Sequence, residues 1–221
     1  MNKLVKIKEL FDCRVGYLTE FFEKYEYPWE MLGHINEYIV QLMAEGVNGF
    51  TEISPGVLAG ENVKIYAGAV IEAPAVIGSG THIRPGAFIR GNVITGENCV
   101  IGNSSELKNC ILLDKVQLPH YNYVGDSVMG NGAHLGAGAV CSNLKADGDN
   151  VVIHGESEYL TGIRKVGGFV GDGGDVGCGC VLNPGTVIGK NTSVYPLTSL
   201  RGVYPADCIV KSQNEIVKRK V

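Results

Sequence analysis

The sequence has no long basic run, no C-x-x-C pair and no apolar run of about 18 residues. Without a basic stretch interleaved with aromatic residues, nucleic acid is not expected as a partner. Without a long apolar run, no membrane-spanning helix is expected. The first ten residues lack the apolar core of a signal peptide, so we expect a cytoplasmic protein.

The seven cysteines show no pattern that favours a metal site. Cys178 and Cys180 are separated by one residue, whereas zinc sites commonly have about two to four between paired ligands. Buried thiols in a reducing compartment are the simpler interpretation. We therefore predict no metal ligands and no metal requirement.

A six-residue period organises the sequence from residue 53 to residue 107. Its aliphatic positions, with two exceptions, are Ile or Leu: Ile53, Ala59, Ile65, Ile71, Ile77, Ile83, Ile89, Thr95, Ile101 and Leu107. Most positions three residues later hold Gly or Asn, which accept positive φ at low cost. Such a hexapeptide repeat predicts a parallel β-helix whose aliphatic positions point inward. Three hexads would form one triangular coil.

The segment before the repeat, residues 1–50, has helical periodicity instead. Apolar residues from Trp29 to Met43 recur at spacings of three and four, between Pro28 and Gly46, which suit a helix start and stop. A second short helix is predicted over residues 18–25. We interpret this segment as a cap over the open end of a β-helix spanning residues 51–210. A basic tail, residues 211–221, contains Lys211, Lys218, Arg219 and Lys220.

The period is interrupted in the middle of the chain. The aliphatic positions step by five residues from Leu107 to Leu112 and again from Val124 to Met129. It disappears over residues 142–166, which we predict to be a long excursion loop, and it returns at Val170. Functional residues are commonly grafted on such interruptions.

Four motifs follow one another in and around the interruptions. They are His82-Ile83-Arg84-Pro85-Gly86, Glu106-Leu107-Lys108, His120-Tyr121-Asn122-Tyr123-Val124-Gly125-Asp126, and Gly136-Ala137-Gly138 followed by Asn143. Thr161-Gly162-Ile163-Arg164-Lys165 comes next. Over residues 53–210 this series resembles the acetyltransferase domain of the bifunctional glucosamine-1-phosphate N-acetyltransferases and of archaeal sugar-1-phosphate nucleotidylyltransferases. The resemblance implies a left-handed β-helix, an acetyl-CoA-dependent N-acetyltransferase and a homotrimer with sites between subunits.

The resemblance also implies roles for individual residues. His120 corresponds to the catalytic base, which would remove a proton from the attacking amine. Arg84 and Lys108 correspond to residues that hold the sugar phosphate, although Lys108 could instead pair with Glu106 or Asp114 on the surface. A further set corresponds to acceptor contacts: Tyr123, Asn143, Arg164 and Lys165.

The remaining matched positions belong to acetyl-CoA. Gly136 and Ala137 correspond to the turn whose N–H groups meet the thioester. Arg201 and Lys211 correspond to the region that meets the phosphates of the coenzyme. Asp172 stands where the bifunctional enzymes have a Ser that assists the tetrahedral intermediate.

Further departures concern the acceptor. His134 replaces an Asn and Leu144 replaces a Tyr of the bifunctional enzymes, and we expect no nucleotidyltransferase domain in this sequence. Two alternatives remain open. One is a zinc hydratase of the γ-carbonic-anhydrase type, which would need three ligands across an interface from His82, His120, His134 and His154. The other is a non-catalytic trimeric scaffold or regulatory remnant.

Overall fold

A computed structural model of the chain describes residues 5–219. It confirms a parallel β-helix. Val57 pairs with Ala75 and Ala75 pairs with Val93, so each coil of this part has 18 residues, or three hexads. Further along, Val93 pairs with Cys110 and Cys110 with Ser127, which shortens each coil to 17 residues.

The helical segment before the β-helix forms as predicted, with one break. Its helices are α1 Ile7–Leu10, α2 Gly16–Glu23, α3 Pro28–Met31 and α4 Ile35–Glu45. Pro28 is the first residue of α3, and Gly46 ends α4 with φ 77°. The single helix predicted from Pro28 is interrupted next to Gly33, a residue of low helix propensity. None of the helices within residues 5–219 is long and apolar enough to cross a membrane.

The strands are mostly two to four residues long. In chain order they are β1 Thr51–Ser54, β2 Val57–Ala59, β3 Lys64–Ile65, β4 Val70–Glu72, β5 Ala75–Ile77, β6 His82–Ile83, β7 Phe88–Arg90, β8 Val93–Thr95, β9 Val100–Asn103, β10 Glu106–Leu112, β11 Gln117–His120, β12 Tyr123–Met129, β13 His134–Leu135, β14 Val140–Cys141, β15 Val152–His154, β16 Glu158–Leu160, β17 Gly168–Val170, β18 Asp175–Val176, β19 Val181–Leu182, β20 Thr186–Ile188, β21 Ser193–Val194, β22 Ser199–Leu200, β23 Val203–Tyr204, β24 Cys208–Ser212 and β25 Glu215–Lys218.

The strands stack into three faces. The covered face contains β2, β5, β8, the second halves of β10 and β12, β17, β20 and β23. The second face contains β3, β6, β9, β11, β13, β18, β21 and β24. The third face contains β4, β7, the first halves of β10 and β12, β14, β19 and β22.

Three corners join these faces. The chain passes from the covered face to the second face at the helical corner, which includes Asn131 and Asp172. It passes from the second to the third face at the His120 corner. It returns from the third to the covered face at the excursion corner, which includes Asn109 and Asp126.

The core of the β-helix consists of the predicted inward positions. From Ile77 onward they are fully buried, including Ile83, Ile101 and Leu107. The polar exception, Thr95, is also buried, and its hydroxyl accepts a hydrogen bond from the Gly78 N–H at 2.9 Å. The prediction is wrong for two residues near the start of the repeat. Ile53 lies in β1, which pairs antiparallel with β2, and its side chain is 47% exposed. Ile65 lies in β3, the edge strand of the second face, and is 44% exposed.

The helices pack along the covered face, not across an open end as the sequence suggested. Their apolar residues, among them Leu18, Phe21 and Ile39, share one core cluster with outward residues of this face. Those outward residues are Leu58, Val76, Ile94, Ile111, Val128, Phe169 and Val187. The β-helix therefore buries this face beneath α1 to α4.

Antiparallel strands finish the two ends of the β-helix. At one end β1 pairs with β2 of the covered face, and at the other β25 pairs with β24 of the second face. Each of these strands covers an edge that would otherwise be open to pairing with another chain. The predicted basic tail is therefore a hairpin up to residue 219, in which Lys211 pairs with Glu215 at 2.7 Å. Lys220 lies outside the described residues.

The two five-residue steps of the sequence lie at the excursion corner. An earlier coil turns there through two residues of positive φ, Gly91 and Asn92. The next two coils turn through one residue each, Asn109 with φ 47° and Asp126 with φ 49°. Removing one residue per turn accounts for the 17-residue coils.

The excursion of residues 142–166 leaves from the same corner. It contains an antiparallel hairpin, β15–β16, and is closed at its base by an isolated bridge between Leu144 and Lys165. Val151, Ile153 and Val166 are buried in the cluster that includes the helices. The predicted loop is thus an ordered arm attached to the helical segment.

Candidate functional site

The His120 corner joins two turns that the sequence predicted to share a site. Asn122, which is 2% exposed, accepts a hydrogen bond from the His120 N–H at 3.2 Å. Its amide donates to the Gly136 carbonyl at 2.8 Å and to the Ala139 carbonyl at 3.2 Å. The His120 carbonyl accepts from the Gly138 N–H at 3.0 Å. The candidate base therefore lies one coil from the candidate thioester turn.

The His120 side chain itself is exposed, and within residues 5–219 its imidazole makes no hydrogen bond or ion pair. Tyr121 follows it in the left-handed region, with φ 51° and a side chain 63% exposed. In the next coil the Ala137 N–H has no acceptor among the described residues. A free imidazole and a free N–H are what a base and an oxyanion donor need.

Close stacking at this corner requires Gly136. A Cβ there would lie 2.6 Å from the Cys178 nitrogen of the following coil. The coils above and below therefore approach Ala137 closely, and the Ala137 carbonyl accepts from the Gly179 N–H at 2.8 Å. Cys178 is exposed immediately beyond Ala137.

Arg84 and Lys211 lie at or next to the same corner, in other coils. Arg84 follows β6, two coils before His120, and its guanidinium has no ion pair among the described residues. Lys211 lies in β24 of the last coil and is paired with Glu215. Neither residue is bonded to Lys108, which lies at the opposite edge of the third face.

Lys108, Tyr123 and Asn143 meet at that opposite edge, around Asp126. The Asn143 amide donates to the Tyr123 hydroxyl at 3.2 Å and to an Asp126 carboxylate oxygen. Lys108 Nζ lies 3.9 Å from the same oxygen. Lys108 therefore pairs with Asp126, and not with Glu106 or Asp114. Glu106 is bonded to Arg90 instead, at 2.6 Å.

Tyr123 accepts a hydrogen bond from Asn143 in this cluster. Burial of its ring, together with the Asp126 and Glu106 carboxylates, raises its pKa above the ordinary value. The phenol stays protonated over the physiological range. Since its oxygen accepts from Asn143, its own O–H remains available to a ligand.

Arg164, Lys165 and Arg201 lie in or beside the excursion. Arg164 Nε donates to the Gly148 carbonyl at 2.7 Å and so joins the two sides of the arm. Lys165 is exposed at the base of the arm. The Arg201 guanidinium lies 3.0 Å from Nε2 of His154. The other ring nitrogen of His154, Nδ1, lies 3.2 Å from the Glu158 carboxylate.

A polar cavity of about 570 Å³ lies beneath this arm. Arg201, Lys145 and His154 line it, with Leu144 at its edge. Lys145 is paired with Asp147 at 3.1 Å. A larger cavity of about 780 Å³, between the helices and Lys190, includes none of the predicted site residues.

Asp172 is not brought together with the other predicted residues. It lies at the helical corner, where one oxygen accepts from the Asn131 N–H at 2.8 Å and the other from the Asp12 N–H at 2.8 Å. Lys190 Nζ is 3.1 Å from it. Its carboxylate therefore ties the helical segment to the β-helix, and an acetyl-CoA contact has no support in this arrangement.

The four histidines considered as zinc ligands are distributed over three places. His82 and His134 lie on the second face, three coils apart, and His134 Nδ1 is 2.7 Å from Asp175. His120 lies at its corner and His154 in the excursion. In the described part of the chain no three His, Cys, Asp or Glu side chains come together as metal ligands.

Asp126 and Asn122 had no predicted role, although both belong to the motif that begins at His120. The sequence contains a signal for Asp126, because the second five-residue step of the aliphatic positions falls on the turn that Asp126 forms. A buried polar residue in a repeat of aliphatic residues, as at Asn122, is a second signal, because buried polar groups need partners.

The chain is similar in sequence to one domain family and to several bifunctional enzymes. The model of the GMPPB C-terminal domain family matches residues 71–159. A bifunctional protein GlmU from Methanococcus vannielii is 29% identical over 224 residues, an alignment covering 100% of this chain and 53% of the relative. A bifunctional sugar-1-phosphate nucleotidylyltransferase/acetyltransferase from Sulfurisphaera tokodaii is 33% identical over 149 residues, covering 62% of this chain and 37% of the relative.

The chain spans about half the length of the GlmU relatives that it matches along its whole length. Among solved structures, a hexapeptide transferase family protein from Anaplasma phagocytophilum aligns with a TM-score of 0.47 and 11% identity, covering 76% of this chain and 87% of that one. The fold assignment therefore rests on the strand pairing described above.

Proposed function

Since the chain is related in sequence to the bifunctional GlmU proteins, we propose that it is an acetyl-CoA-dependent N-acetyltransferase. Its acceptor would be an amino-sugar phosphate, such as glucosamine-1-phosphate, or a nucleotide-linked amino sugar. The observation that carries the proposal is the pairing of the His120 turn with the Gly136–Ala137 turn through buried Asn122. This arrangement supports a base beside an oxyanion donor.

In the proposed reaction the acceptor amine attacks the thioester carbonyl carbon of acetyl-CoA. His120 takes the proton that the amine loses as the C–N bond forms. The Ala137 N–H stabilises the negative charge on the carbonyl oxygen. When the C–S bond breaks, the coenzyme leaves as the thiol, with the proton returned from His120. Arg84, Lys108 and the Tyr123 O–H would hold the acceptor phosphate.

The direct test is release of free thiol from acetyl-CoA. Purified protein should release coenzyme A thiol when supplied with glucosamine-1-phosphate or another member of a panel of amino-sugar phosphates and nucleotide-linked amino sugars. The corresponding N-acetylated sugars serve as controls, because they carry no free amine. A complete absence of thiol release with the whole panel would reject the proposal.

The same site should be detectable by cysteine reactivity. Cys178 is the exposed cysteine among those of residues 5–219, whereas burial raises the pKa of Cys13 to about 11 and that of Cys99 to about 12. We expect iodoacetamide to modify Cys178 first, and acetyl-CoA, whose acylated sulfur does not consume the reagent, to slow this modification because Cys178 adjoins Ala137. Peptide mapping by mass spectrometry measures both rates. A Cys178→Ser variant is the control, and equal rates with and without acetyl-CoA would argue against binding at this corner.

We further propose that the site is completed between copies in a homotrimer. On one chain the predicted residues form two separate groups: Arg84, His120 and Ala137 at the His120 corner, and Lys108, Tyr123 and Asn143 around Asp126. The helices occupy the covered face, which leaves the second and third faces to neighbouring copies. Contact between the corner of one copy and the third face of the next would unite both groups.

Subunit mixing tests this arrangement. With the acceptor well below its KM, His120→Ala and Asn143→Ala should each have little activity alone, but co-expressed copies with different tags should recover about a quarter of the wild-type activity, because a quarter of randomly formed sites contain both intact residues. A mixture of His120→Ala and Arg84→Ala is the matched control. Both residues belong to the same corner, so no intact site forms. Failure of the first mixture would mean that both groups of one site come from one copy.

A further inference from the structure

Asp126 is a buried carboxylate to which the proposed mechanism gives no role. It is 5% exposed and sits at the shortened turn of the excursion corner with φ 49°. One oxygen accepts from the Asn109 amide at 2.9 Å, and the other accepts from Asn143 and faces Lys108. An ionised carboxylate only accepts hydrogen bonds, so it dictates how each partner is oriented.

The orientation of Asn143 follows directly. Its NH₂ group must face Asp126, because its carbonyl oxygen would repel the carboxylate. The same NH₂ group also donates to the Tyr123 hydroxyl. Both amide hydrogens are thereby used, and the Asn143 carbonyl oxygen is left as an acceptor for an amine or hydroxyl donor.

Gly125 keeps room for this contact. A Cβ at Gly125 would lie 2.5 Å from the Tyr123 oxygen and 2.9 Å from Asn143 Nδ2. Gly125 pairs directly with Lys108 in the neighbouring strand. The positions of Lys108, Tyr123 and Asn143 are therefore set jointly by a small residue and a buried anion.

The network also reaches the helical segment. The Asn109 amide donates both to Asp126 and, at 3.2 Å, to the Leu32 carbonyl between α3 and α4. The loop between these helices thus holds Asn109, and Asn109 in turn holds Asp126. This gives the helical segment a role beyond covering apolar surface.

We infer that Asp126 is the positioning residue of the acceptor site. It orients the Asn143 amide and the Lys108 ammonium so that, with the Tyr123 O–H, they recognise a phosphate next to an amine or hydroxyl donor. The inference rests on the proposed function, which supplies the acceptor. It assigns acceptor specificity to a residue that need not touch the acceptor.

Steady-state kinetics of Asp126→Asn test the inference. We expect the KM for the acceptor to rise about tenfold or more, the scale of one lost hydrogen bond to a charged group. The KM for acetyl-CoA and kcat should stay within about twofold, because the thioester turn lies at another corner. Gly125→Ala should raise the acceptor KM in the same way while keeping every charge.

Asp207→Asn is the matched control. Asp207 also has positive φ, 55°, and also accepts from an Asn amide, that of Asn191 at 2.9 Å, but it lies at the helical corner. It should leave all kinetic constants unchanged. The double variant Asp126→Asn/Asn143→Ala should bind the acceptor no more weakly than Asn143→Ala alone, since Asp126 acts through Asn143.

Three results would each overturn the inference while leaving the proposed function standing. They are additive effects of Asp126→Asn and Asn143→Ala on acceptor binding, an unchanged acceptor KM in Asp126→Asn, and an equal rise in its acetyl-CoA KM. If the wild type releases no thiol, the inference is tested by calorimetric titration of glucosamine-1-phosphate into the wild type and into Asp126→Asn, both without acetyl-CoA. Weaker binding to Asp126→Asn than to wild type would support the inference. No binding by the wild type would overturn it together with the proposed function.

Discussion

Replacing His120 by Ala is expected to lower kcat at least about 100-fold, the lower end of what a general base contributes. The fold should be unaffected, because the exposed imidazole makes no hydrogen bond within residues 5–219. The contacts that hold the turn use the His120 main chain and the Asn122 side chain, and both remain. Thiol release and a melting curve measure the two quantities.

His34→Ala is the control for this substitution. His34 is also an exposed histidine, but it lies at the start of α4 on the helical segment. It should retain wild-type turnover. If His120→Ala keeps more than about a tenth of the wild-type kcat, the proposed base is another group, since that loss is smaller than a base accounts for.

Truncating Ile83 to Ala should cost about 2–5 kcal/mol of unfolding free energy, because a fully buried side chain leaves a cavity among stacked coils. The same change at Ile53 should cost less than about 0.5 kcal/mol. Both residues occupy equivalent positions of the hexapeptide repeat, but Ile53 is 47% exposed in an antiparallel edge strand. The pair isolates burial from residue type and periodic position.

Urea unfolding at one fixed protein concentration measures this difference, since any association of copies makes stability concentration-dependent. Equal losses of about 2 kcal/mol or more at the two positions would mean that Ile53 contributes to the core in solution. Small losses at both positions would mean that the interior relaxes around the missing atoms of Ile83.

The hexapeptide repeat was sufficient to predict the coils because the interior of a narrow β-helix accepts one small or aliphatic residue at each position. It was insufficient to place the helices. The signal for that was a second column of apolar residues with a step of 17 or 18, such as Leu58, Val76 and Ile94, which point outward. Such a column is costly on an exposed face and therefore indicates a covered one.

The site shows the same division. The motif order was sufficient to bring His120 and Ala137 into consecutive coils, because residues about one coil apart in sequence are neighbours across the stack. It could not show that Arg84 and Lys108 lie at opposite edges of the third face. To predict which corner of the β-helix a residue occupies, one must count residues through every turn. The shortened turns at Asn109 and Asp126 change that count.

The β-helix, most of its inward residues and the excursion of residues 142–166 could be predicted from the sequence, since each depends on local periodicity or on its interruption. The candidate base was predicted from the resemblance of its motif to a known family. The three-dimensional structure was needed to show which face the helices cover, that Asp172 anchors them, and that Asp126 gathers Lys108, Tyr123 and Asn143. Those outcomes depend on contacts between residues far apart in the chain. No local pattern encodes them, because they arise only when coils of particular lengths are stacked.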